Sequence, residues 1–292
     1  MTHRAGFVNI IGNPNAGKSS LLNCLLGEKL AVITSKAQTT RHRILGMLNT
    51  DDYQIVFSDT PGILEPKYAL QKSMRREFES ALEDADIYLL VIDPAEGFDH
   101  PSILSHLRDS GIPCVVILNK IDLASQEAIL AGIGEWQKLL PSAAVIPVSA
   151  LHAFNIEAVL QHILEWLPEH PPYFNKEDLT DRSERFLTSE IIRACILEQY
   201  HREVPYSVEV VVEEFREEGH TLHIRAVIHV ARETQKVILI GEGGKAIRRL
   251  GITSRKKIES FTGRHVFLEL FVKVSRDWRD NELMLKRFGY QL

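Results

Sequence analysis

Gly12-Asn13-Pro14-Asn15-Ala16-Gly17-Lys18-Ser19 is the stretch that decides the fold of this chain. It lies between the apolar run 7–11 and a helical pattern over 20–27. Strand, glycine-rich loop and helix in that order are typical of a phosphate-binding loop with the pattern G-x-x-x-x-G-K-[ST]. The glycines permit a tight turn, so that backbone N–H groups point toward a polyphosphate at the positive end of the helix dipole. We therefore predict a nucleoside polyphosphate site.

Two side chains of this loop have specific predicted roles. Lys18 reaches the outer phosphates, and the Ser19 hydroxyl binds Mg²⁺. In the alternative, the glycines only turn the chain and Lys18 is a solvated helix-start residue; the flanking strand and helix disfavour it. The residues expected around the phosphates are Gly12, Asn13, Pro14, Asn15, Ala16, Gly17, Lys18, Ser19, Ser20, Asp59, Thr60, Pro61, Gly62 and Ile63.

Length and composition are those of a globular protein with room for two domains. The chain has 292 residues, of which 45% are hydrophobic and 25% charged, which is ordinary for a soluble protein. Because the net charge is −5, any argument for nucleic acid must come from one region. No window resembles a membrane span or a signal peptide, so we expect a cytoplasmic protein with at most peripheral membrane contact.

Cysteine and histidine positions give no sign of a disulfide or a zinc site. Cys24, Cys114 and Cys195 stand far apart within apolar patterns, which is typical of buried thiols in a reducing compartment. The 12 histidines show no metal-ligand spacing, so no structural zinc is expected.

Strand and helix patterns alternate through the first part of the chain. An antiparallel pair is expected at 43–48 and 53–57, because only the short turn 49–52 joins them. Short apolar runs, typical of parallel strands covered on both faces, follow at 87–92, 114–118 and 144–148, separated by helical patterns over 103–110, 125–140 and 155–167. We predict a doubly wound α/β domain over residues 1–170, with its ligands at the carboxyl ends of the strands.

The second part of the chain has a different order of elements. A proline-containing, polar stretch at 171–184 predicts a linker to a second domain over 185–292. This domain is expected to be α+β, with a helix, two strands, a basic helix and a last strand. These patterns cover 186–200, 207–212, 222–230, 241 to about 261, and 266–274.

A second phosphate motif follows the predicted strand 53–57. Asp59-Thr60-Pro61-Gly62 matches D-x-x-G. At that strand end, the Asp59 carboxylate can hold Mg²⁺ through water and the Gly62 N–H can meet a γ-phosphate.

Base-recognition residues follow two buried strands, as Asn119-Lys120-Ile121-Asp122 and Ser149-Ala150. Asp122 can accept from the N1–H and N2–H₂ groups of guanine, the Ala150 N–H can donate to O6, Lys120 can lie along the base, and Asn119 can join the loops. Adenine would leave Asp122 unpaired at a cost of about 1 to 3 kcal/mol. Alone, Asn119 could be a turn residue and Asp122 a helix cap, but all motifs together predict GTP and GDP.

With these residues in place, the chain resembles the translational GTPase-like class of P-loop proteins and, within it, the Era family. The resemblance rests on the G-x-P-N-x-G-K-S loop, the segment 38–43, Asp59 to Ile63, Asn119 to Asp122, and Ser149-Ala150. The second part resembles a type II KH domain, whose helix-strand-strand-helix-helix-strand order and G-x-x-G loop match Gly241-Glu242-Gly243-Gly244. The resemblance covers nearly the whole chain.

The resemblance implies further roles at the nucleotide site. Thr40, with Thr39 as the alternative, would close over the γ-phosphate and complete the Mg²⁺ shell with Ser19 and Asp59. Ile63 stands where small GTPases generally carry a water-positioning glutamine, which implies slow intrinsic hydrolysis. Relatives with the same loop asparagine use K⁺, which suggests Asn15 as a K⁺ ligand. The expected catalytic residues are Lys18, Thr40 and Gly62.

The KH resemblance implies an RNA partner. A G-x-x-G loop clamps about four unpaired nucleotides, and residues 241–292 carry twelve basic against six acidic side chains, a net positive region in an acidic protein. Glu242 stands where many such loops have a basic residue, so the attraction of phosphate shifts to the basic residues beyond it. In the alternative, this is a flexible helix entry with a solvated basic face. The expected RNA contacts are Gly241, Glu242, Gly243, Gly244, Lys245, Arg248 and Arg249.

Together these expectations describe a monomeric, GTP-controlled switch that, like the Era family, binds small-subunit rRNA near its 3′ end and assists assembly of the 30S subunit. One alternative is a GTPase that times tRNA modification, although residues 185–292 show no Cys/His pair, metal cluster or carboxylate pair for a second chemistry. Another is a membrane-associated signalling GTPase, which lacks a lipidation motif here.

Overall fold

The computed structural model describes residues 2–34 and 36–291, which form two compact units. Of these residues, the first unit contains 2–31, 40–65 and 77–181, and the second contains 32–34, 36–39, 66–76 and 182–291. Two short segments therefore belong to the second unit, one leading into Thr40 and the other following the Asp59 to Ile63 motif.

The first unit is a six-stranded sheet with helices on both faces. Its strands lie in the order β2-β3-β1-β4-β5-β6, and β2 alone among them is antiparallel to its neighbour. The strands are β1 (Arg4–Gly12), β2 (Ile44–Asn49), β3 (Tyr53–Asp59), β4 (Ile87–Ile92), β5 (Cys114–Leu118) and β6 (Ala144–Pro147). The helices are α1 (Lys18–Leu26), α2 (Ala69–Glu83), α3 (Pro101–Asp109), α4 (Gln126–Leu139) and α5 (Ile156–Trp166).

Strand β4 shows why the central strands read as continuous apolar runs. Leu89 and Val91 pack in a cluster with residues of α1 and α5, whereas Tyr88 and Leu90 pack with residues of α3 and α4. Because both faces are covered, all six residues of β4 are buried. The doubly wound fold predicted from these runs is confirmed.

The second unit is a three-stranded sheet with its main core on one face. Its strands lie in the order β7-β8-β9, with β7 and β8 antiparallel and β8 and β9 parallel. The elements are α6 (Glu184–Gln199), β7 (Val208–Glu218), β8 (Thr221–Val230), α7 (Glu233–Ile240), α8 (Lys245–Thr262), β9 (His265–Val274) and α9 (Glu282–Arg287). The order from α6 to β9 is that of the KH domain that the resemblance implied, and the prediction is confirmed.

Two helices in this unit are absent from the pattern-based prediction. In α7, Val237 is 69% and Ile238 is 49% exposed, so apolar residues do not follow the buried face of the helix. Helix α9 has only six residues, too few for a period to show.

The stretch predicted as a linker packs against the first unit as far as residue 181. The Tyr173 ring lies 4.8 Å from Phe7, and the Met47 N–H donates to the Leu179 carbonyl over 2.9 Å. This stretch therefore runs along β2. Within the described ranges, no helix has the length and apolar character needed to cross a bilayer.

Candidate functional site

The phosphate loop follows β1 and begins α1, as its sequence predicts. Gly17 precedes α1 with φ of 98°, and a Cβ at this position would collide with the side-chain amide of Asn119. Glycine is therefore required here both by backbone conformation and by close approach. Asn15 also adopts a left-handed conformation, with φ of 64°, and is exposed.

Lys18 is buried beneath this loop. Its Nζ donates to the carbonyls of Gly12 (3.0 Å) and Asn13 (2.8 Å). Burial lowers the pKa of Lys18 to about 8, and the nearby Asp59 carboxylate opposes this shift. A buried ammonium of this kind is poised to meet an anion, since a phosphate would compensate its lost hydration.

Three oxygen-bearing side chains meet at the edge of the phosphate loop. Ser19 Oγ lies 2.7 Å and Thr40 Oγ1 3.1 Å from Asp59 Oδ2, and the two hydroxyl oxygens are 3.1 Å apart. Burial raises the pKa of Asp59, against the effects of Ser19, Lys18 and Thr40. The alternative residue, Thr39, directs its hydroxyl to Thr34 and to the Lys36 carbonyl.

The segment after β3 lies close to the phosphate loop. Thr60 Oγ1 donates to the Ile10 carbonyl (2.8 Å), and the Ile63 N–H donates to the Gly12 carbonyl (3.2 Å). A Cβ at Gly62 would stand 2.6 Å from the Pro14 nitrogen. The structure thus brings Asp59, Thr60 and Gly62 to the loop, while the Ile63 side chain packs beside the hydrophobic core.

The base-recognition motifs meet at the ends of β5 and β6. Asn119 Nδ2 donates to the Ala16 carbonyl (2.9 Å), and Asn119 Oδ1 accepts the Ala150 N–H (3.0 Å). The Ala150 N–H, expected to serve a guanine O6, is thus used within the protein. Ser149 Oγ donates to Asp122 Oδ1 over 2.5 Å, and this hydrogen bond lowers the pKa of Asp122 and keeps it an acceptor.

Motif reading missed the loop after β4. Asp93 Oδ2 lies 2.8 Å from Lys120 Nζ, and His100 Nε2 lies 2.9 Å from Asn13 Oδ1. The position of Asp93 in the sequence was the signal that could have identified it, because Asp93 directly follows a buried parallel strand, and ligands of such sheets bind at the strand ends.

In the second unit, the G-x-x-G loop borders a pocket of about 360 Å³. The pocket is lined by Gly241, Glu242, Lys245, Ala246 and Arg249. Gly241 has φ of 71°, and a Cβ there would stand 2.6 Å from the Ala246 Cβ, so this turn requires glycine. Gly243 and Gly244 have positive φ as well, while Arg248 is exposed but does not line the pocket.

A buried arginine of α6 contacts one of the short segments of the second unit. Arg193 forms an ion pair with Glu190 and donates to the backbone carbonyls of Gln38 (3.1 Å) and Thr39. Its side chain is 2% exposed. Sequence reasoning gave no signal for this contact, because it depends on which loop packs beside α6.

Two family models match the chain in the two regions just described. A 50S ribosome-binding GTPase model matches residues 7–120, and a KH domain model matches residues 203–279. The curated proteins called GTPase Era of Syntrophus aciditrophicus and Geotalea daltonii are each 44% identical to this chain. The matches cover 98% of this chain in both cases, and 95% and 98% of the two relatives.

Two solved structures are also similar over nearly the full length. One is Era in complex with MgGDPNP and nucleotides 1506–1542 of 16S ribosomal RNA, with 38% identity and a TM-score of 0.94. The other is a variant of Aquifex aeolicus Era bound to GDP and AlF4⁻, with 39% identity and a TM-score of 0.94. Each comparison covers 99% of this chain and 100% of the other.

Proposed function

The chain belongs to the Era family of GTPases, and from this premise we propose a GTP-controlled switch that binds the 3′ region of small-subunit rRNA and assists maturation of the 30S subunit. One observation carries the proposal, namely that a GTPase family model and a KH domain model match the same chain, and that the helix after the G-x-x-G loop is basic. The similar Era structure with MgGDPNP and 16S rRNA nucleotides supports both ligands.

The triad Ser19, Thr40 and Asp59 fits a Mg²⁺ ion. Asp59 Oδ1 is buried and has no hydrogen-bond partner among the described residues, and hydroxyl and carboxylate oxygens are the donors that Mg²⁺ prefers. The Ser19 and Thr40 hydroxyls would hold the ion directly, with Asp59 acting through water. When bound, Mg²⁺ neutralises charge that develops on the phosphate oxygens.

The remaining groups of the site bind and orient the nucleotide. Lys18 would exchange its two carbonyl partners for outer phosphate oxygens, and the Gly62 N–H would donate to the γ-phosphate. Asp122 would accept from guanine, beside Asn119, Lys120, Ile121, Ser149 and Ala150. Because the aliphatic Ile63 cannot orient a water, we propose slow intrinsic hydrolysis.

K⁺ is the second cation that we propose, with Asn15 as a ligand. The exposed asparagine side chain lies in the phosphate loop, where a monovalent cation can add positive charge. GTP turnover measured in KCl and in NaCl tests this role, and equal rates would contradict it.

RNA would enter the pocket beside Gly241. Lys245 and Arg249 line it and supply charge for phosphates, while Arg248 supplies charge from the neighbouring surface. We propose functional domains at 1–170 and 185–292, joined by 171–184. GTP would alter RNA binding through residues 36–39, which lead into Thr40, and residues 66–76, which follow the Asp59 to Ile63 motif; both belong to the second unit.

The deciding experiment measures binding of single-stranded RNA with the 3′ sequence of small-subunit rRNA, in GDP and in GDPNP, at two salt concentrations. We expect tighter, sequence-dependent binding with GDPNP, and a scrambled RNA is the matched control. Equal, weak and purely salt-driven binding in both nucleotide states would contradict the proposed switch.

We further propose that the protein works as a monomer in the cytoplasm, with basic residues permitting weak contact with an anionic membrane surface. Co-sedimentation with phosphatidylglycerol vesicles, compared with phosphatidylcholine vesicles, tests the membrane part. If the protein is absent from both vesicle pellets, the proposed membrane contact is contradicted and only the proposed cytoplasmic location remains.

A further inference from the structure

We propose that Asp93 and His100, in the loop after β4, are positioning residues of the nucleotide site, Asp93 through Lys120 and His100 through Asn13. Neither residue belongs to a motif of the GTPase signature. The inference rests on the proposed function, because it assumes that guanine lies beside Lys120 and phosphates beside residues 12–19.

Asp93 fixes a side chain that would otherwise be mobile. Its Oδ2 lies 2.8 Å from Lys120 Nζ, and its Oδ1 accepts the Ala95 N–H over 2.9 Å. With both oxygens engaged, the carboxylate is held in one orientation. The Asp93 side chain is 11% exposed and that of Lys120 31%, so the ion pair is partly shielded from water. Lys120 is therefore ordered before a base arrives, which reduces the entropy lost on binding.

His100 fixes the side chain of Asn13. The Asn13 amide donates from Nδ2 to the Gly97 carbonyl over 3.0 Å, which turns its Oδ1 toward His100. His100 Nε2 must therefore be the donor in their 2.9 Å contact. The Asn13 carbonyl meanwhile accepts from Lys18 Nζ. The loop after β4 thus holds the side-chain amide of Asn13, and Lys18 holds its backbone carbonyl.

The loop after β4 is itself anchored by an aromatic contact. The Phe98 ring lies 5.0 Å from His100 and 5.7 Å from the buried Trp136, edge to face in both cases. Such pairs contribute about 0.5 to 1.5 kcal/mol beyond the area they bury. Phe98 therefore ties the loop to the hydrophobic core under α4, so that Asp93 and His100 project from a supported segment.

The two contacts should act on different steps. We call the contact of Asp93 with Lys120 the base arm and that of His100 with Asn13 the phosphate arm. Lys120 serves the base, which GDP and GTP share, so Asp93 should affect both nucleotides equally. Asn13 lies in the phosphate loop, so His100 should affect turnover more than binding.

The base arm is tested by the rate at which fluorescent GDP and GDPNP dissociate from Asp93→Asn. We expect both rates to rise by about tenfold, the effect of losing one charged hydrogen bond. Glu96→Gln removes one negative charge from an exposed position of the same loop and should leave both rates unchanged. Dissociation from Asp93→Asn at the rate of the unchanged protein would overturn the base arm.

The phosphate arm is tested by steady-state GTP hydrolysis of His100→Ala and His100→Gln. We expect kcat of His100→Ala to fall by about fivefold with KM within a factor of two, and His100→Gln, which keeps a side-chain N–H donor, to recover most of it. Equal kcat in both variants and the unchanged protein would overturn this arm. A thermal unfolding curve for each variant separates loss of positioning from loss of fold, and Asp93→Glu, which keeps the charge but displaces the carboxylate, provides a second reading should Asp93→Asn not fold.

Measurements on the unchanged protein distinguish failure of the proposed function from failure of the positioning role alone. If it fails to bind fluorescent GDP, the proposed function fails. If it binds GDP and hydrolyses GTP while both sets of variants match it, only the positioning role fails.

Discussion

Asp122 is the residue on which we propose that nucleotide selectivity depends. Its carboxylate accepts from Ser149 and is kept ionised, since that hydrogen bond lowers its pKa. Replacement by asparagine substitutes a donor for one acceptor oxygen, which opposes the N1–H and N2–H₂ donors of guanine. We predict that Asp122→Asn weakens GDP binding by about 100-fold or more, because a site built for a hydrogen bond rejects a mismatched partner strongly.

The same substitution should favour xanthine, which carries an oxygen in place of the guanine N2–H₂ group. Titration with fluorescent GDP and XDP checks both predictions. Asp51→Asn, in the exposed turn before β3, is the matched control and should bind GDP normally. Unchanged GDP affinity of Asp122→Asn would remove Asp122 from the base site.

Glu242 places a negative charge at the pocket where we propose that RNA binds, and there it would oppose phosphate binding. It lines the pocket beside Lys245 and Arg249 and is exposed. We predict that Glu242→Gln tightens RNA binding by about threefold at low salt, because one repulsive charge near the backbone is removed. Fluorescence anisotropy at two salt concentrations measures this, and Glu282→Gln, on the separate helix α9, is the control. Weaker binding of Glu242→Gln would show instead that Glu242 contacts a base.

At the scale of elements, the end of β8 is covered by the segment around α9. The Phe288 ring lies 4.8 Å from His229, Trp278 Nε1 donates to the Ser207 carbonyl, and Tyr290 Oη donates to Glu209. This covering buries His229 and lowers its pKa to about 4, with further contributions from the positive charges of Lys273 and Arg287.

We predict that this histidine makes the fold less stable in acid. The unfolded chain binds a proton at His229 below about pH 6.5, whereas the folded protein resists protonation down to about pH 4. Its contribution is thus present above pH 6.5 and is lost as the pH falls through that window, by roughly 2 to 3 kcal/mol in total.

Thermal unfolding at pH 7.5, 6, 5 and 4.5 measures the effect. The midpoint of His229→Gln should fall less with acid than that of the unchanged protein, while His220→Gln, at an exposed turn, should follow the unchanged protein. Parallel curves for His229→Gln and the unchanged protein would contradict the prediction.

Elements were predictable from sequence where burial imposes a recognisable apolar pattern. β4 and β5 were predicted at their observed bounds because every residue is buried. β7 was predicted to end at Val212 but continues to Glu218, since its last residues are charged and exposed and are held by pairing with β8 rather than by burial.

For the whole molecule, Arg193 is the residue through which we expect RNA affinity to depend on nucleotide. Arg193→Lys keeps the positive charge for Glu190, but a single ammonium cannot replace the fork that serves Glu190 and the Gln38 and Thr39 carbonyls together. We predict that the ratio of RNA affinities in GDPNP and GDP falls by about threefold or more.

RNA titrations in both nucleotides measure that ratio. Arg202→Lys, an exposed position after α6, is the matched control. Arg193→Lys with an unchanged ratio, at unchanged thermal stability, would remove this residue from the coupling.

The sequence by itself determined the fold class of both parts of the chain and the class of nucleotide, while the residues around that nucleotide stay predictions. It could do so because a phosphate loop, a D-x-x-G turn and a guanine motif are local patterns whose positions at strand ends follow from the apolar runs that precede them. The tertiary structure alone decided which loops those motifs touch. Asp93 and His100 reach Lys120 and Asn13, and Arg193 reaches residues 38–39, because chain segments far apart in sequence pack side by side, and no local period records such contacts.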